Sequence, residues 1–160
     1  MSVSCYTLDM AQIRGKAQSG DGRERRTSIL AWMRLARVFA KMQRAAAVQL
    51  RRWDLSVAHF DVLAQTGLAE GLTQRELAER LLITKGNLSQ LLDKMERDDL
   101  LVRCREGRVN CLRLTPRGRV LYDEVLPARQ EMVEATFAPL SAEERATLLG
   151  LLRKLDLSLD

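Results

Sequence analysis

The sequence predicts a mainly α-helical protein built around a winged helix-turn-helix, with long N- and C-terminal helices forming a dimerisation region. Two short amphipathic helical segments, over 73–82 and 84–97, are separated by only a tight turn. A basic stretch with Gly107 at its centre follows, in which 100–104 and 110–114 can pair as a β-hairpin. Apolar residues at helical spacing on both sides of this region predict the long helices.

The composition favours one helical domain with a charged partner. The chain has 160 residues, of which 46% are hydrophobic and only 4% aromatic, so it can build a core and is poor in strand formers. Its net charge of +5 favours a polyanionic partner. No apolar run approaches the roughly 18 residues of a membrane span, and residues 1–20 lack the apolar core of a signal peptide. We therefore expect a cytoplasmic protein without a membrane partner.

The chain divides into an N-terminal arm and a single domain. Residues 1–27 mix serine, glycine and charged residues without periodicity, which predicts a flexible basic arm. From Ser28, a suitable N-cap, apolar residues recur at helical spacing through Arg52. Ser56 caps a second helix, and Gly67 is a natural residue to end it. The domain, 28–160, thus contains pairing helices over 28–52 and 116–160 and the winged helix over 55–115.

Capping signals mark the remaining helix starts. Thr73-x-x-Glu76 is a capping box, in which the hydroxyl accepts from the Glu76 amide and the carboxylate accepts from the Thr73 amide. Ser141-x-x-Glu144 is a second one. Thr84 can cap the second short helix, and Thr115-Pro116 places an N-cap before a proline at the first helical position.

The second short helix has one apolar and one polar face. Leu88, Leu91, Leu92 and Met95 recur at helical spacing and fix the buried face. Reading a major groove needs side chains with paired donors and acceptors near a helix N-terminus. The candidate base contacts are Lys85, Asn87, Ser89 and Gln90. The alternative is an ordinary solvated helix face.

Basic and hydroxyl side chains surround this helix. Such side chains, and amides at a helix N-terminus, suit phosphates, which set affinity and not sequence preference. The candidate phosphate contacts are Thr73, Gln74, Arg75, Thr84, Lys94, Arg103 and Arg105.

The cysteines and the single histidine do not indicate a metal site or an enzyme. A two-residue turn at 107–108 would place Cys104 directly opposite Cys111, so the pair is either two packed thiols or a redox switch. One histidine and dispersed cysteines give poor support to a zinc cluster. Phosphate-binding loops and catalytic constellations are absent from the sequence, so we expect no cofactor and no enzymatic activity.

Four segments resemble the MarR (multiple-antibiotic-resistance regulator) family, over roughly residues 29–158. They are LSVAHFDVL at 55–63, LTQRELA at 72–78, KGNLSQLLDKME at 85–96 and LRLTPRG at 112–118. The resemblance implies a homodimer with interlocked terminal helices, a recognition helix in each major groove and a wing near the minor groove. It makes Arg108 the candidate minor-groove residue of the wing. Asp99 stands where the family usually has glycine, and aspartate tolerates the left-handed conformation that this turn needs.

The expected function is therefore that of a DNA-binding transcriptional regulator. We expect a homodimeric repressor of a pseudo-palindromic operator that responds to a small-molecule effector. The candidate pocket residues are Trp32, Arg37, Phe39, Trp53 and His59. For His59, packing or capping beside an apolar helical face is the simpler interpretation. The alternative function is a winged-helix module that binds protein and not DNA.

Overall fold

The computed structural model of the chain describes residues 20–69, 71–106 and 109–159. The elements are α1 Gly20–Leu50, a 3₁₀ turn Arg51–Trp53, α2 Val57–Leu68, α3 Gln74–Leu81, α4 Lys85–Arg97, β1 Leu101–Glu106, β2 Val109–Leu114, α5 Pro116–Phe137 and α6 Ala142–Asp156. Among the described helices, none combines the length and the apolar character needed to cross a membrane. The predicted mainly α-helical fold with a winged helix-turn-helix is confirmed.

The first helix begins earlier than the sequence predicts. It starts at Gly20, and Ser28 lies inside it, where the hydroxyl donates to the carbonyl oxygen of Glu24 at 3.2 Å. Ser28 is therefore not an N-cap, and the part of the predicted arm at 20–27 is helical. Arginine and glutamate are good helix formers, so this stretch is helical without an apolar stripe. Residues 1–19 of the predicted arm lie outside the described residues.

The chain divides into two structural units, and the boundary lies within α1, after Ala45. The second unit, Ala46–Asp160, contains the winged helix and its core. Leu77 of α3, Leu92 of α4 and Leu112 of β2 are fully buried there. Because α3, α4 and the hairpin share one apolar core, their relative positions are fixed by packing.

The predicted N-caps after the first helix are confirmed. In each case the cap hydroxyl accepts a hydrogen bond from the backbone three residues on; the caps are Ser56, Thr73, Thr84, Thr115 and Ser141. The capping boxes at Thr73 and Ser141 are both complete, and Ser56 forms a third with His59. His59 is thus a capping residue, as the sequence indicates.

Gly67 lies inside α2, so the prediction that it ends this helix is wrong. A Cβ atom at this position would lie 2.6 Å from the ring of Tyr122 on α5. The glycine is needed because α5 packs closely on α2, which the local sequence does not reveal. The helix ends one residue later, at Leu68.

The wing is an antiparallel hairpin with the predicted register. Cys104 pairs with Cys111, and Glu106 pairs with Val109, which leaves a two-residue tip outside the described residues. Both strands extend further toward the tip than predicted. Before β1, Asp99 has φ of 55°, so the predicted left-handed turn is confirmed.

Candidate nucleic-acid interface

The four candidate base-contact residues lie on the outward face of α4. Lys85, Asn87, Ser89 and Gln90 are all exposed. Within the described ranges, none of these four side chains has a hydrogen-bond or ion-pair partner. On the opposite face Leu88 is buried in the core, as are Leu92 and Met95. Burial of one face therefore holds the polar face toward solvent.

The start of α4 is open to close approach by a ligand. The hydroxyl of Thr84 accepts from the amide of Asn87 at 3.3 Å, which leaves the hydroxyl hydrogen able to donate. A Cβ built on Gly86 would meet nothing within 4 Å. A nucleic-acid backbone could thus lie directly against this turn of helix.

Thr73, a predicted phosphate contact, is occupied by its own capping box. Its hydroxyl donates to the Glu76 carboxylate at 2.7 Å and accepts from the Glu76 amide at 3.1 Å. The Thr73 amide also donates to this carboxylate, at 2.9 Å. This hydrogen bond first, and then the one from the hydroxyl, hold the pKa of Glu76 below its ordinary value. Thr73 thus positions α3 through this capping box, and its contact with a phosphate stays a prediction.

Two of the predicted phosphate contacts form ion pairs that exchange easily. Arg75 pairs with Glu79 at 2.9 Å, with both side chains more than half exposed. Lys94 pairs with Asp98, also at 2.9 Å and also near solvent. Exposed pairs of this kind contribute little, so either cation can turn to a phosphate. Gln74, beside Arg75, is half-buried.

Arg103, a predicted phosphate contact, links the wing to α4 in the structure. One guanidinium nitrogen lies 2.7 Å from Oδ1 of Asp93 and 3.3 Å from the Ser89 carbonyl oxygen. The other forms an ion pair with Glu96, and the Arg103 amide donates to that same carboxylate at 2.9 Å. The side chain is only 25% exposed. In the sequence, a basic residue on a hairpin suggests phosphate binding, because its three acceptors on α4 become visible only in the folded structure.

For the other wing residues, the roles predicted from the sequence remain predictions. Arg105 is exposed on β1. Arg108 lies outside the described residues. Cys104 and Cys111 are joined as a disulfide, with Cα atoms 5.1 Å apart.

The predicted effector residues fall in both structural units. Trp32, Arg37 and Phe39 belong to the first unit, where Trp32 and Phe39 are 52% and 60% exposed. Trp53 and His59 belong to the second unit and line one cleft of about 290 Å³. That these five residues line one effector pocket thus remains a prediction.

The cleft that holds Trp53 and His59 is polar. The Trp53 indole donates to the Glu124 carboxylate at 2.8 Å, so its hydrogen-bonding capacity is used. Burial, and to a lesser extent Lys94, lower the pKa of His59. His59 is therefore a neutral capping imidazole at neutral pH.

A second cleft, of about 470 Å³, lies between α2 and α5 and contains an arginine that sequence reasoning missed. The Arg129 guanidinium lies over the Phe60 ring, 5.2 Å from its centroid. Its Nε atom is buried and, among the described residues, has no hydrogen-bond partner. Arg129 also favours ionisation of nearby Asp61, whose pKa is nevertheless raised by burial. In the sequence Arg129 is one arginine among many, because only packing of α5 on α2 buries it.

Among the described residues, no group of histidine, cysteine and acidic side chains is close enough to hold a metal ion. The outward polar face of α4, the basic wing beside it and the shared core define a winged-helix protein of the DNA-binding class.

Comparisons with known proteins identify the family. The sequence model of the MarR family matches residues 53–109. An uncharacterised HTH-type transcriptional regulator of Bacillus cereus is 32% identical over 120 residues, which are 75% of this chain and 82% of the relative. The chain belongs to the MarR family of transcriptional regulators.

Solved structures of DNA complexes share this fold. The structure of MepR from S. aureus bound to DNA is 25% identical, with a TM-score of 0.73, and the match covers 79% of this chain and 94% of that one. A mutant of MarR from E. coli complexed with operator DNA is 27% identical, with a TM-score of 0.72, covering 80% and 95% of the two chains.

Proposed function

We propose that the protein is a homodimeric repressor that binds a pseudo-palindromic operator and that a small molecule modulates this binding. The observation that carries the proposal is the set of four exposed side chains on α4 that have no partner among the described residues: Lys85, Asn87, Ser89 and Gln90. Donors and acceptors left unpaired near a helix N-terminus suit base edges in a major groove. Because a regulator must reach DNA, the proposed location is the cytoplasm.

The C-terminal helix supports the dimer. Leu149, Leu151 and Leu155 on α6 are each more than half exposed, and α6 has no fully buried residue. A second copy of the chain would cover this apolar surface. A two-fold dimer presents two α4 helices related by symmetry, which is why we propose a pseudo-palindromic operator.

The α2/α5 cleft supports an effector site. A buried guanidinium Nε without a partner favours a ligand with a hydrogen-bond acceptor, and the adjacent Phe60 offers an apolar face. A ligand held there would change DNA affinity if it bound one arrangement of the two recognition helices better than another. We propose this cleft, in addition to the five residues predicted from sequence, as the place to look for the effector.

The test is a titration of the purified protein against its own upstream intergenic DNA and a scrambled duplex at two salt concentrations. We expect tight, salt-sensitive binding with a clear preference for the native sequence, because phosphate contacts release counterions. Equal weak binding to both duplexes would contradict the proposal. It would favour the alternative of a winged-helix module that binds protein.

Variants of α4 locate the interface. Lys85→Ala should weaken binding, whereas Arg52→Ala, the same loss of charge in the exposed turn between α1 and α2, should leave it nearly unchanged.

Gly86→Ala is the sharper variant because it removes no charge and its Cβ meets nothing within 4 Å in the protein. We expect unchanged or slightly higher stability, since alanine favours helix over glycine by about 0.5–1 kcal/mol, together with weaker operator binding. Full operator affinity in both α4 variants would exclude this face as the reading surface.

A further inference from the structure

The wing contains two cysteines that the backbone holds together. Cys104 on β1 and Cys111 on β2 are direct partners in the antiparallel register. Their Cα atoms lie 5.1 Å apart, which is within the usual range for a disulfide, and the two sulfur atoms are bonded. Because the ladder of backbone hydrogen bonds sets the register, breaking the sulfur–sulfur bond does not separate the two residues.

An acceptor for a reduced Cys111 lies close to its sulfur atom. In the disulfide, Sγ of Cys111 is 3.2 Å from the carbonyl oxygen of Cys104, to which a thiol formed by reduction could donate. Cys111 is only 2% exposed, whereas Cys104 is half-buried. An oxidant from solvent therefore meets Cys104 first, and Cys111 is in place to react with the product.

This pair lies where the wing joins the helix-turn-helix. The amide of Leu112 donates to the carbonyl oxygen of Leu72 at 2.9 Å, and Cys111 forms a backbone bridge with Thr73, the cap of α3. On the other strand, Cys104 follows Arg103, which ties β1 to α4. The two sulfur atoms thus lie beside the backbone contacts that join the wing to α3 and next to the residue that joins it to α4.

We propose that Cys104 and Cys111 are a redox modification site, at which a peroxide converts the dithiol to a disulfide and the disulfide form binds the operator more tightly. The second part rests on the proposed function. A regulator that acts on DNA inside the cell works in a reducing compartment, where a disulfide is rarely a permanent brace and is usually reversible. Two cysteines held in register by the backbone of the wing, one of them partly exposed to solvent, have the geometry that such a reversible couple needs.

The chemistry balances with hydrogen peroxide as the oxidant. The Cys104 thiolate attacks one peroxide oxygen, the oxygen–oxygen bond breaks, and the sulfenic acid forms with release of one water after protonation. The Cys111 sulfur then attacks the Cys104 sulfur, the sulfur–oxygen bond breaks, and a second water leaves with the thiol proton. Two thiols lose two electrons in total, and the peroxide gains them. An external dithiol reverses the change by exchange.

The disulfide affects DNA binding by restricting the wing. The disulfide adds a covalent link to the backbone pairing of β1 with β2, at the residue before Arg105. The cross-link removes part of the conformational freedom of the two strands before DNA binds, so less is lost on binding. We expect a gain in operator affinity of about three- to tenfold, equivalent to immobilising about one flexible side chain in advance.

The experiment uses the full chain with Cys5→Ser, so that only the wing pair can react. One sample is reduced with dithiothreitol, and one is treated with hydrogen peroxide. Alkylation and mass spectrometry report the thiol state of each sample, and titration with the native upstream duplex reports its affinity. We expect a disulfide between the peptides containing Cys104 and Cys111, tighter binding in the oxidised sample, and return to the reduced affinity on adding dithiothreitol. Cys104→Ser/Cys111→Ser should show one affinity under both treatments.

The two readouts separate the possible failures. Two alkylated thiols in the peroxide-treated protein would overturn the modification site. A disulfide with equal or weaker operator binding would overturn the effect on the wing. Absence of any operator preference in the oxidised, reduced and serine forms would overturn the proposed function, while the mass measurement would still decide whether the site exists.

Discussion

Left-handed backbone conformations occur at turns within the winged helix and in the turn before α2. Among the described non-glycine residues, Asp54, Leu82 and Asp99 have positive φ, at 54°, 52° and 55°. Aspartate tolerates this region better than most residues, whereas a leucine does not. Leu82 ends α3 in the turn before α4, and its side chain is 92% exposed. It therefore carries backbone strain with little burial to offset it.

Leu82→Gly should stabilise the protein. Left-handed backbone costs a non-glycine residue about 1–2 kcal/mol, and the greater freedom of glycine in the unfolded chain cancels about 0.5–1 kcal/mol of the relief. We expect a net gain in the free energy of unfolding of about 0.5–1 kcal/mol, measured by urea denaturation. Leu82→Ala, which keeps the Cβ, is the control and should show no gain. Equal stability of the glycine and alanine variants would refute the assignment of strain to this position.

His59 makes the stability of α2 depend on pH. Its side chain completes the capping box with Ser56 and is half-buried. Burial is the main cause that lowers its pKa in the folded protein below the ordinary value of 6.5; Lys94 adds to it, while Asp98 and Asp54 oppose it. The unfolded chain therefore binds a proton at His59 more readily than the folded chain. Stability from this group is complete above pH 6.5 and decreases as pH falls below that value toward the folded pKa.

His59→Gln should reduce this pH dependence. Glutamine can accept the hydrogen bond of the capping box but does not titrate. Unfolding by urea at about pH 8 and about pH 5.5 should show a smaller loss of stability at low pH in the variant than in the wild type. The difference between the two proteins isolates His59 from Asp61, Glu76 and Asp98, whose pKa values are also shifted. An identical pH dependence in both proteins would contradict the role assigned to His59.

At the scale of elements, helix starts could be predicted where a cap and an apolar stripe coincide. Thr73, Thr84 and Ser141 illustrate this, since cap chemistry is local to a few residues. The start of α1 could not, because 20–27 is helical without an apolar stripe. The role of Gly67 depends on Tyr122, which is distant in sequence. Local chemistry was thus readable, whereas contacts between elements were not.

The same limit applies to the interface. The exposed face of α4 follows from helical spacing, because burial of Leu88 and Leu92 dictates which side chains point outward. The link that Arg103 makes to α4 could not be predicted, because its partners Asp93 and Glu96 lie on another element. Every basic residue near a proposed DNA surface has this ambiguity until its intramolecular partners are known.

Arg103→Met should lower both stability and operator affinity. The substitution keeps most of the aliphatic stem but leaves the carboxylates of Asp93 and Glu96 without their guanidinium partner. Hydrogen bonds to charged groups contribute about 1.5–3 kcal/mol, and we expect a loss toward the lower end because the network is partly exposed. Thermal or urea unfolding measures the first effect, and DNA titration at several salt concentrations measures the second.

Arg105→Met on the same strand is the matched control. Because Arg105 is exposed, its interactions within the protein should contribute little, and the substitution should leave stability nearly unchanged. It should lower the salt dependence of binding by about one unit of slope, as expected when one phosphate contact is lost. If Arg103→Met instead gave this pattern, with stability intact, Arg103 would be a phosphate contact after all.

At the scale of the whole molecule, large apolar side chains are exposed on two of the described helices. Exposed leucines lie along α6, and in α1 Trp32, Val38 and Phe39 are each half or more exposed. Among the described residues, neither helix has its exposed apolar side chains covered by the core of the winged helix. The proposed homodimer would cover such surface and would also duplicate the reading surface of α4.

Leu151→Asp/Leu155→Asp should convert the proposed dimer to a monomer. These residues lie one helical turn apart on α6 and are 58% and 56% exposed, so the double substitution should not disturb the core of one chain. Burying two carboxylates at an apolar interface is strongly unfavourable. Light scattering should give a mass near twice 18.2 kDa for the wild type and near 18.2 kDa for the variant, and operator affinity should fall because only one half-site is read at a time. Leu82→Asp, at an exposed leucine outside α6, should remain a dimer. A wild type that is monomeric at the concentrations that saturate the operator, or a double variant that is still dimeric, would show that α6 does not hold the subunits together.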